Sequence, residues 1–393
     1  MHAPGAARHM EVELKKDYIF TPGPTPVPTK VGLSQVKMIH HRSSEFGELL
    51  ARVLDGLKYV YQTSNEVLLF TSSGTGAMEG AISSCFSPGD KVIAFAGGKF
   101  GERLVEISRA FGLDCVTVEY EWGECARPEQ LESALEANPD ARCVMLTQSE
   151  TSTGVVNDVE AFGRVVAGTD ALFLVDAISG LGAVDLRTDE WGVDLCISGS
   201  QKALMTPPGL AFCAVSGKAW KAAESAKCPS YYFSFEAARR SQSKVPPETP
   251  YTPAITLLQG LDAALSMIRE EGLEAVFARH EKLARATQAA VEALGLRFLA
   301  RDRSRAFVTT SVWAPEGIGA GDITRKMRDD FGIFIAGGQG RLKGKVFRLG
   351  HVGYFDEYDI VTQVAALEIT LARLGCDVEP GRGVGAALRV LAG

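Results

Sequence analysis

Short apolar runs alternate with longer amphipathic stretches between about Glu66 and Ser216, and this alternation limits the folds that are open to the chain. Seven of the runs are predicted strands, and most are apolar throughout, which is typical of strands buried on both faces. They are Val67–Thr71, Lys91–Ala96, Asp114–Val118, Arg142–Thr147, Ala171–Val175, Val193–Ser198 and Leu210–Val215. The sequence therefore predicts an α/β fold in which a mostly parallel, seven-stranded sheet lies between helices.

The stretches between these runs carry the periodicity of helices that cover a sheet. They are Ala77–Cys85, Gly101–Phe111, Pro128–Ala137 and Asp158–Val166. The last two predicted strands follow each other with little room for a helix, so we expect one antiparallel strand. In such a sheet ligands bind beyond the carboxyl ends of the strands, and we expect functional residues there.

The chain changes character after the seventh predicted strand. The segment Lys227–Tyr251 is rich in proline, serine and aromatic residues, which predicts an irregular crossing segment. Two helical patterns follow, Ile255–Glu270 and Leu273–Leu294, with a break at Gly272. The later patterns predict a smaller C-terminal α/β domain; they are Phe298–Trp313, Ile323–Phe331, Lys345–Leu349 and Glu357–Leu374.

Length and composition bound the number of domains and the kinds of partner. With 393 residues the chain is long enough for two domains, and we divide it into a tail and lid segment (1–30), a large domain (31–260) and a small domain (261–393). The net charge of −7 gives no basic footprint for nucleic acid, and no apolar segment approaches the ~20 residues that span a bilayer. We expect neither nucleic acid nor membrane as a partner.

The first residues and the cysteines indicate the compartment. Met1–Met10 carries proline, glycine and histidine instead of an apolar signal core, which predicts a loose tail. The eight cysteines are scattered, without a C-x-x-C pair or metal-ligand spacing. They are typical of small core residues in a reducing cytosol, so we expect a cytoplasmic protein without a metal.

The segment Ser198-Gly199-Ser200-Gln201-Lys202 places a lysine 26 positions after Asp176, which ends an apolar run. A lysine just after a strand, among small residues, is suited to forming an imine with an aldehyde. An aspartate at the end of a neighbouring strand can pair with a protonated ring nitrogen, and the two together are how proteins hold pyridoxal phosphate (PLP). Taken singly, Lys202 is better explained as a solvated loop lysine, and Asp176 as a helix cap, and only the rest of the chain favours the cofactor interpretation.

A glycine-rich turn follows the first predicted strand and opens a helix. Small residues in Ser72-Ser73-Gly74-Thr75-Gly76 let the backbone close on a phosphate, whose charge the helix N-terminus favours. The alternative is an ordinary strand-to-helix turn with a serine or threonine cap. The dinucleotide pattern G-x-G-x-x-G is absent because the next glycine, Gly80, comes one position late, which disfavours a nicotinamide enzyme.

The order of phosphate loop, strand-end aspartate and lysine resembles the class V aminotransferases of PLP fold type I. The likeness is greatest to the alanine–glyoxylate and serine–glyoxylate (serine–pyruvate) aminotransferase branch, and it runs from Phe20 to about Leu374. Its most specific segments are Ser149-Glu150-Thr151-Ser152-Thr153-Gly154-Val155, Val175-Asp176-Ala177, Ser198-Gly199-Ser200-Gln201-Lys202 and Phe347-Arg348-Leu349-Gly350.

The resemblance implies roles for the residues around the cofactor. Lys202 would form the Schiff base and then act as general base on the substrate Cα, and Asp176 would keep the pyridine nitrogen protonated. The phosphate would be bound by the residues of the glycine-rich turn and the residue before the lysine; they are Ser73, Gly74, Thr75 and Gln201. Thr151 would lie within reach of the phenolic oxygen of the ring.

Two further cofactor contacts are implied, each with a departure from the family pattern. Phe100 corresponds to the aromatic residue that stacks on the pyridine ring, where many relatives have tryptophan. Thr252 matches a residue that reaches the phosphate from the partner subunit, but the family's preceding tyrosine is replaced by Thr249. Tyr251 is the candidate to supply that hydroxyl, and the alternative for the Tyr251-Thr252 pair is a capped turn before the helix at Ile255.

Three residues are candidates for binding the substrate. Arg348 matches the arginine that holds the substrate α-carboxylate, since a planar guanidinium makes two parallel charge-assisted hydrogen bonds; the alternative is a strand-end arginine in a surface ion pair. Arg42 in His40-His41-Arg42 is a second candidate, without the carboxylate or cysteine spacing of a metal site. Gly23 in Thr21-Pro22-Gly23-Pro24 would leave room for substrate under an extended lid.

The resemblance implies PLP-dependent transamination between a small L-amino acid, alanine or serine, and glyoxylate or pyruvate, in a homodimer with shared active sites. Three alternatives stay open. The first is a lyase such as a cysteine desulfurase, although no cysteine lies in Phe331–Leu349, where its catalytic loop would fall. The second is a decarboxylase or an aspartate, phosphonate or phosphoserine aminotransferase. The third is a non-catalytic accessory subunit that keeps the fold.

Overall fold

A computed structural model describes residues 16–301 and 304–393. The predicted loose tail, Met1–Met10, lies outside these described residues. Within them, the helices are α1 (Thr29–Ser34), α2 (Ser44–Tyr61), α3 (Gly74–Cys85), α4 (Lys99–Ala110), α5 (Pro128–Ala137), α6 (Val159–Val166), α7 (Gly217–Ala223), α8 (Phe235–Gln242), α9 (Ile255–Glu271), α10 (Leu273–Ala293), α11 (Ala320–Phe331), α12 (Glu357–Arg373) and α13 (Arg382–Leu391).

The strands form one large sheet and several small ones. They are β1 (Tyr18–Ile19), β2 (Glu66–Phe70), β3 (Lys91–Ala96), β4 (Asp114–Glu119), β5 (Cys143–Thr147), β6 (Ser149–Glu150), β7 (Val155–Val156), β8 (Leu172–Asp176), β9 (Leu195–Gly199), β10 (Ala211–Val215), β11 (Thr309–Trp313), β12 (Ile333–Phe334), β13 (Ala336–Gly337) and β14 (Val346–Gly350). The large sheet has seven strands in the order β2-β10-β9-β8-β5-β3-β4.

The prediction of a mostly parallel seven-stranded sheet is confirmed. All neighbouring pairs from β9 to β4 are parallel, whereas β10 runs antiparallel to both β9 and β2. The single antiparallel strand is the one expected from the short connection between the last two predicted strands. Because β2, β5, β8 and β9 point the same way, the segments that follow them meet at one edge of the sheet.

Side chains of the central strands alternate between two apolar layers. In β8, Phe173 and Val175 belong to the layer under α2, α6 and α9, while Leu172 and Leu174 belong to the layer under α3 and α4. Every residue of β8 is buried, as the continuous apolar run predicted. This double burial fixes the register of the strand, and with it the position of Asp176 at its carboxyl end.

The segment predicted to be irregular, Lys227–Tyr251, contains a helix, α8. Its first turn is capped by Ser234, whose hydroxyl accepts the N–H of Ala237, and Phe235 is buried against Phe70. The prediction was wrong for these eight residues because the long-range contact of Phe235 outweighs the local turn-forming composition.

The C-terminal part builds a second, smaller core, as predicted. Its sheet has three antiparallel strands in the order β11-β14-β13, and helices α10, α11, α12 and α13 surround it. Leu283, Phe347 and Leu367 are buried at its centre together with Phe20, which comes from the beginning of the chain. Among the described residues, no helix is long and apolar enough to cross a membrane.

Candidate active site

Asp176 and Lys202 lie at the carboxyl edge of the large sheet, after neighbouring strands. Asp176 ends β8 and is buried, and its Oδ1 accepts the N–H of Ile178 at 3.0 Å. Burial raises the pKa of its carboxyl to about 7. An acid held in this way favours a cation beside it, because a cation would offset the desolvation of the carboxylate.

Lys202 is buried in the turn that follows β9. Its Nζ donates a hydrogen bond of 2.7 Å to the carbonyl of Pro22, and burial lowers the pKa of the amine to about 8, with the charge of Arg348 acting in the same direction. The backbone of the turn is held by Met205, whose N–H donates to Lys202 O at 3.0 Å, and by the Thr25 hydroxyl, which donates to the same oxygen at 3.0 Å.

The Pro22–Gly23 segment lies directly against this lysine. Gly23 has a φ of +129°, and a Cβ at this position would lie 2.4 Å from Lys202 Cδ. Only glycine meets both conditions, because other residues rarely adopt that backbone conformation. Because Gly23 has no side chain, the backbone of this segment can lie directly against Lys202 and cover it.

The glycine-rich turn after β2 becomes the start of α3. Ser73 is the N-cap residue but makes no side-chain capping bond, and its carbonyl accepts the N–H of Gly76 at 2.9 Å. The N–H groups of Gly74 and Thr75, the first two of the helix, are therefore available to another partner. A Cβ at Gly74 would lie 2.4 Å from Ile178 Cδ1, and one at Gly76 would lie 2.5 Å from Ser72 Oγ. The small residues are needed for this close packing, which leaves a backbone cradle suited to an anion.

Arg348 lies in the centre of the second sheet, in β14, and is buried. Its Nε donates to Gly337 O and its Nη1 to Thr151 O, both at 2.9 Å. Burial lowers the pKa of the guanidinium to about 10. These bonds use two of its five N–H donors and fix its plane, so the others can receive a carboxylate.

Two predicted cofactor ligands have buried polar atoms without a partner. They are Thr151 Oγ1 and Gln201 Oε1. Phe100 is half-buried in the first turn of α4, and the guanidinium of Arg103 lies 4.9 Å from its ring centre. An unpartnered buried polar atom costs free energy unless something bonds it, so both atoms mark places where a polar ligand would be stabilised.

The remaining predicted residues lie apart from this cluster within one chain. Arg42 is exposed, and its Nη1 lies 2.9 Å from Glu248 Oε2. The Tyr251 hydroxyl donates to Tyr231 O at 3.1 Å, and Thr252 is exposed beside it. No described contact joins Arg42, Tyr251 or Thr252 to Lys202. For Tyr251 and Thr252 this placement is consistent with the predicted contact toward a second copy, which stays a prediction, as does the substrate-binding role of Arg42.

Sequence reasoning gave no role to two charged residues of this site. Glu150 is buried beside Phe100, and Arg103 places its Nη1 3.4 Å from Thr75 Oγ1 while lying over the Phe100 ring. The available signal for Arg103 was its spacing, three residues after Phe100 on one helix face. Glu150 could be suspected as the one charge in a segment of small buried residues, Ser149–Val155.

The order of the large sheet, with a buried lysine and aspartate after adjacent strands and a small second sheet that supplies an arginine, is the arrangement of fold type I enzymes. The family model for aminotransferase class-V matches residues 30–343, and the chain belongs to this family. The crystal structure of a ureidoglycine–glyoxylate aminotransferase from Bacillus subtilis has the same fold: the TM-score is 0.93, with 29% identity over 98% of this chain and 100% of the other.

Curated relatives of nearly the same length carry two kinds of name. A serine–glyoxylate aminotransferase of Methylorubrum extorquens is 39% identical over 386 residues, which is 95% of this chain and 95% of that protein. A protein of a Synechococcus strain named soluble hydrogenase, small subunit, is 45% identical over 381 residues, 96% of this chain and 98% of that protein.

Proposed function

We propose that this protein is a PLP-dependent aminotransferase that moves an amino group between a small L-amino acid, alanine or serine, and glyoxylate or pyruvate. The observation that carries the proposal is the placement of Lys202 and Asp176, which are both buried and follow the adjacent strands β9 and β8 at one edge of the large sheet. The name of the Methylorubrum relative supports serine and glyoxylate as substrates. The proposal also explains why a chain would keep three charged groups out of water.

The residues fit PLP as a resident cofactor. Gly74 and the start of α3 would bind its phosphate, and the side-chain NH2 of Gln201 would donate to it. Asp176, whose pKa is raised to about 7 by burial, would pair with the protonated ring nitrogen. Thr151 would reach the phenolic oxygen, and Phe100 would stack on the ring.

When bound, PLP supplies an electron-withdrawing ring that makes the Cα proton of an attached amino acid acidic. Lys202 Nζ would take that proton, and its pKa of about 8 is close to the pH at which an amine works well as a general base. Arg348 would bind the α-carboxylate through its remaining N–H groups and thereby orient Cα. Pro22 and Gly23 would keep water from the lysine.

A screen of single amino acids tests this proposal. Purified protein is loaded with PLP, and the visible absorbance band of the lysine-bound cofactor is followed after each amino acid is added without any oxo acid. Alanine and serine should remove the band, and glyoxylate or pyruvate should restore it. Loss of the band with aspartate or phosphoserine alone would replace the proposed donor, and absence of any band would overturn the enzyme proposal.

The name of the Synechococcus relative supports one alternative, namely a subunit without aminotransferase activity. The intact set Lys202, Asp176 and Arg348 disfavours it, because a non-catalytic subunit gains nothing from three buried charges that cost desolvation. The same absorbance screen separates the two proposals, since an accessory subunit would not exchange amino groups.

We also propose that the active enzyme is a homodimer with shared sites, in the cytoplasm. The exposed aromatic residues whose rings contact Tyr251 support a covered surface: Tyr231 is 81% exposed and Tyr232 is 43% exposed. All eight cysteines are free, which suits a reducing compartment. Mixing Lys202→Ala with Thr252→Ala subunits tests the shared sites, since a mixed dimer would hold one intact site. Full activity of a dilute monomer would contradict the proposal.

A further inference from the structure

We propose that Glu150 is a positioning residue of the aminotransferase reaction, which holds the stacking aromatic Phe100 and the cofactor ligand Thr151 in one rigid unit. The inference rests on the proposed function and assigns a role to a side chain that touches neither substrate nor cofactor. It is carried by the contacts of one buried carboxylate between two segments that are 50 positions apart along the chain.

The carboxylate of Glu150 binds the start of helix α4 from outside the helix. Its Oε2 accepts the N–H groups of Phe100 at 2.9 Å and Gly101 at 3.0 Å, while the hydroxyl of Ser152 accepts that of Lys99 at 2.9 Å. These are the first three N–H groups of the helix, which have no partner within it. A distant segment thus replaces the usual side-chain cap.

The other carboxylate oxygen holds the segment to which Glu150 itself belongs. Oε1 accepts from Ser152 N at 3.2 Å and from Ser152 Oγ at 2.5 Å. Glu150 is only 2% exposed, and a Cβ at Gly98 would lie 2.3 Å from its Cγ and Cδ, so the absence of a side chain at position 98 is what makes room for the carboxylate. The hydrogen bonds to both of its oxygens hold the carboxylate in one orientation.

The two segments joined in this way carry the groups around the cofactor ring. The Thr151 carbonyl accepts the Nη1 of Arg348, and its hydroxyl is buried without a partner. The hydrogen bond from the Phe100 N–H to the Glu150 carboxylate fixes the backbone of Phe100. A shift of this carboxylate would move the stacking ring, the hydroxyl beside it and the substrate arginine together.

The charge of Glu150 acts on the same groups. It raises the pKa of both Asp176 and Arg348, although burial is the largest effect on each of them. Burial raises the pKa of Glu150 itself, and the bonds from Ser152, Gly101 and Phe100 act against that rise. Replacement of the carboxylate by an amide would therefore change both the geometry and the electrostatics of the site.

The chain contains a matched control for this arrangement. Glu368 is also buried, at 5% exposure, and its carboxylate accepts the N–H groups of Gly381 at 2.9 Å and Val384 at 3.0 Å, at the start of α13. Neither its contacts nor those of α13 reach the site. Glu368→Gln thus reproduces the loss of a buried helix-capping charge without the proposed positioning role.

The experiment compares Glu150→Gln and Glu368→Gln with the wild type, each loaded with PLP. Glutamine keeps the size but offers one acceptor oxygen, so the N–H of Ser152 loses its partner. We expect both variants to lower the melting temperature. Only Glu150→Gln should alter the visible circular dichroism of the bound cofactor, weaken PLP binding and lower kcat, each of the last two by about ten- to a hundred-fold.

The inference would be overturned if Glu150→Gln kept the cofactor spectrum of the wild type and kept PLP affinity and kcat within two-fold of it. Glu150 would then be a purely structural residue. If Glu150→Gln does not fold, Ser152→Ala takes its place, because it keeps the charge and removes one bond to each segment. It should change the same spectrum by a smaller amount, and an unchanged spectrum would overturn the inference. A wild type that binds no PLP would overturn the proposed function itself.

Discussion

The candidate site has a buried half and an exposed half, and the two differ in what one chain can provide. Asp176, Lys202 and Arg348 are buried, and the pKa of each is shifted mainly by burial. Arg42 and Thr252 face solvent, and Arg42 makes an ordinary surface ion pair. The buried residues lie together within one chain, whereas the role proposed for the exposed half requires a second copy.

The largest effect is expected in the buried half, from Lys202→Ala. The variant should bind PLP without a covalent link and lose turnover by several orders of magnitude, because it removes both the attachment point and the general base. Borohydride reduction followed by mass spectrometry of peptides checks the attachment site. Lys282→Ala, at an exposed ion pair with Glu357, is the control and should behave as wild type. Label on another lysine would refute the assignment.

Arg348→Ala should damage all accepted amino acids alike. Loss of a buried pair of this kind costs roughly 2–5 kcal/mol, or about one and a half to more than three decades in kcat/KM. Amines without a carboxylate should be poor substrates of the wild type and should be little affected by the change. Kinetics with alanine, serine and aspartate check this. If only acidic donors suffered, Arg348 would instead bind the side chain, and Arg42 would be the next residue to test.

The pKa of Asp176 predicts a pH dependence of stability in the cofactor-free protein. Its folded-state pKa of about 7 lies above the ordinary value of 3.8, so the folded state binds the proton more tightly. The contribution of Asp176 to the free energy of unfolding should therefore fall as the pH rises from about 4 to about 7, by on the order of 4 kcal/mol. His280 and His351 act in the opposite direction up to about pH 6.5, because burial lowers their pKa values to about 3 and about 4. Urea unfolding at pH 4.5 and 7.5 measures the change.

Asp176→Asn isolates this contribution, because the effects of Glu150, His280 and His351 are common to both proteins and cancel in the difference between wild type and variant. The same change in stability between the two pH values in both proteins would show that Asp176 does not contribute in this range. PLP should lessen the fall in the wild type, because a protonated ring nitrogen stabilises the ionised carboxylate.

The smallest effect is expected in the exposed half. Arg42→Ala removes an exposed ion pair with Glu248 and should change the free energy of unfolding by less than about 1 kcal/mol. If the exposed half serves a second copy, the same variant should nevertheless lower kcat/KM in the dimer. Denaturation and kinetic measurements on one preparation distinguish a mere surface ion pair from a residue that serves a second copy. A stability loss above 2 kcal/mol would contradict the division into a buried and an exposed half.

The sequence predicted the large sheet well because strands buried on both faces leave continuous apolar runs. The prediction was less accurate where the local structure is set by contacts between residues far apart in the sequence. The helix predicted from Gly101 begins at Lys99, since Glu150 and Ser152 satisfy its first N–H groups from another part of the chain. The domain limits 1–30, 31–260 and 261–393 stay predictions.

The site residues divide in the same way, into those that a local pattern indicates and those whose roles depend on distant contacts. Lys202 and Asp176 could be proposed from local pattern, because each follows a strand and carries a charge among small or apolar neighbours. Glu150 and Arg103 had only weak local signals, because their contacts depend on how separate turns meet at the edge of the sheet. The role proposed for Tyr251 and Thr252 requires a second chain, and the local pattern of one sequence does not show how two chains would meet.

The two backbone bonds of Arg348 have a mechanical consequence. Thr151 lies in the turn after β6, beside the seven-stranded sheet, whereas Gly337 belongs to the three-stranded sheet. A rigid planar guanidinium bonded to both carbonyls acts as a cross-link that sets the spacing of two layers. Its removal would loosen their attachment even before any amino acid is added, so the residue that we propose to bind the substrate would also align the two sheets.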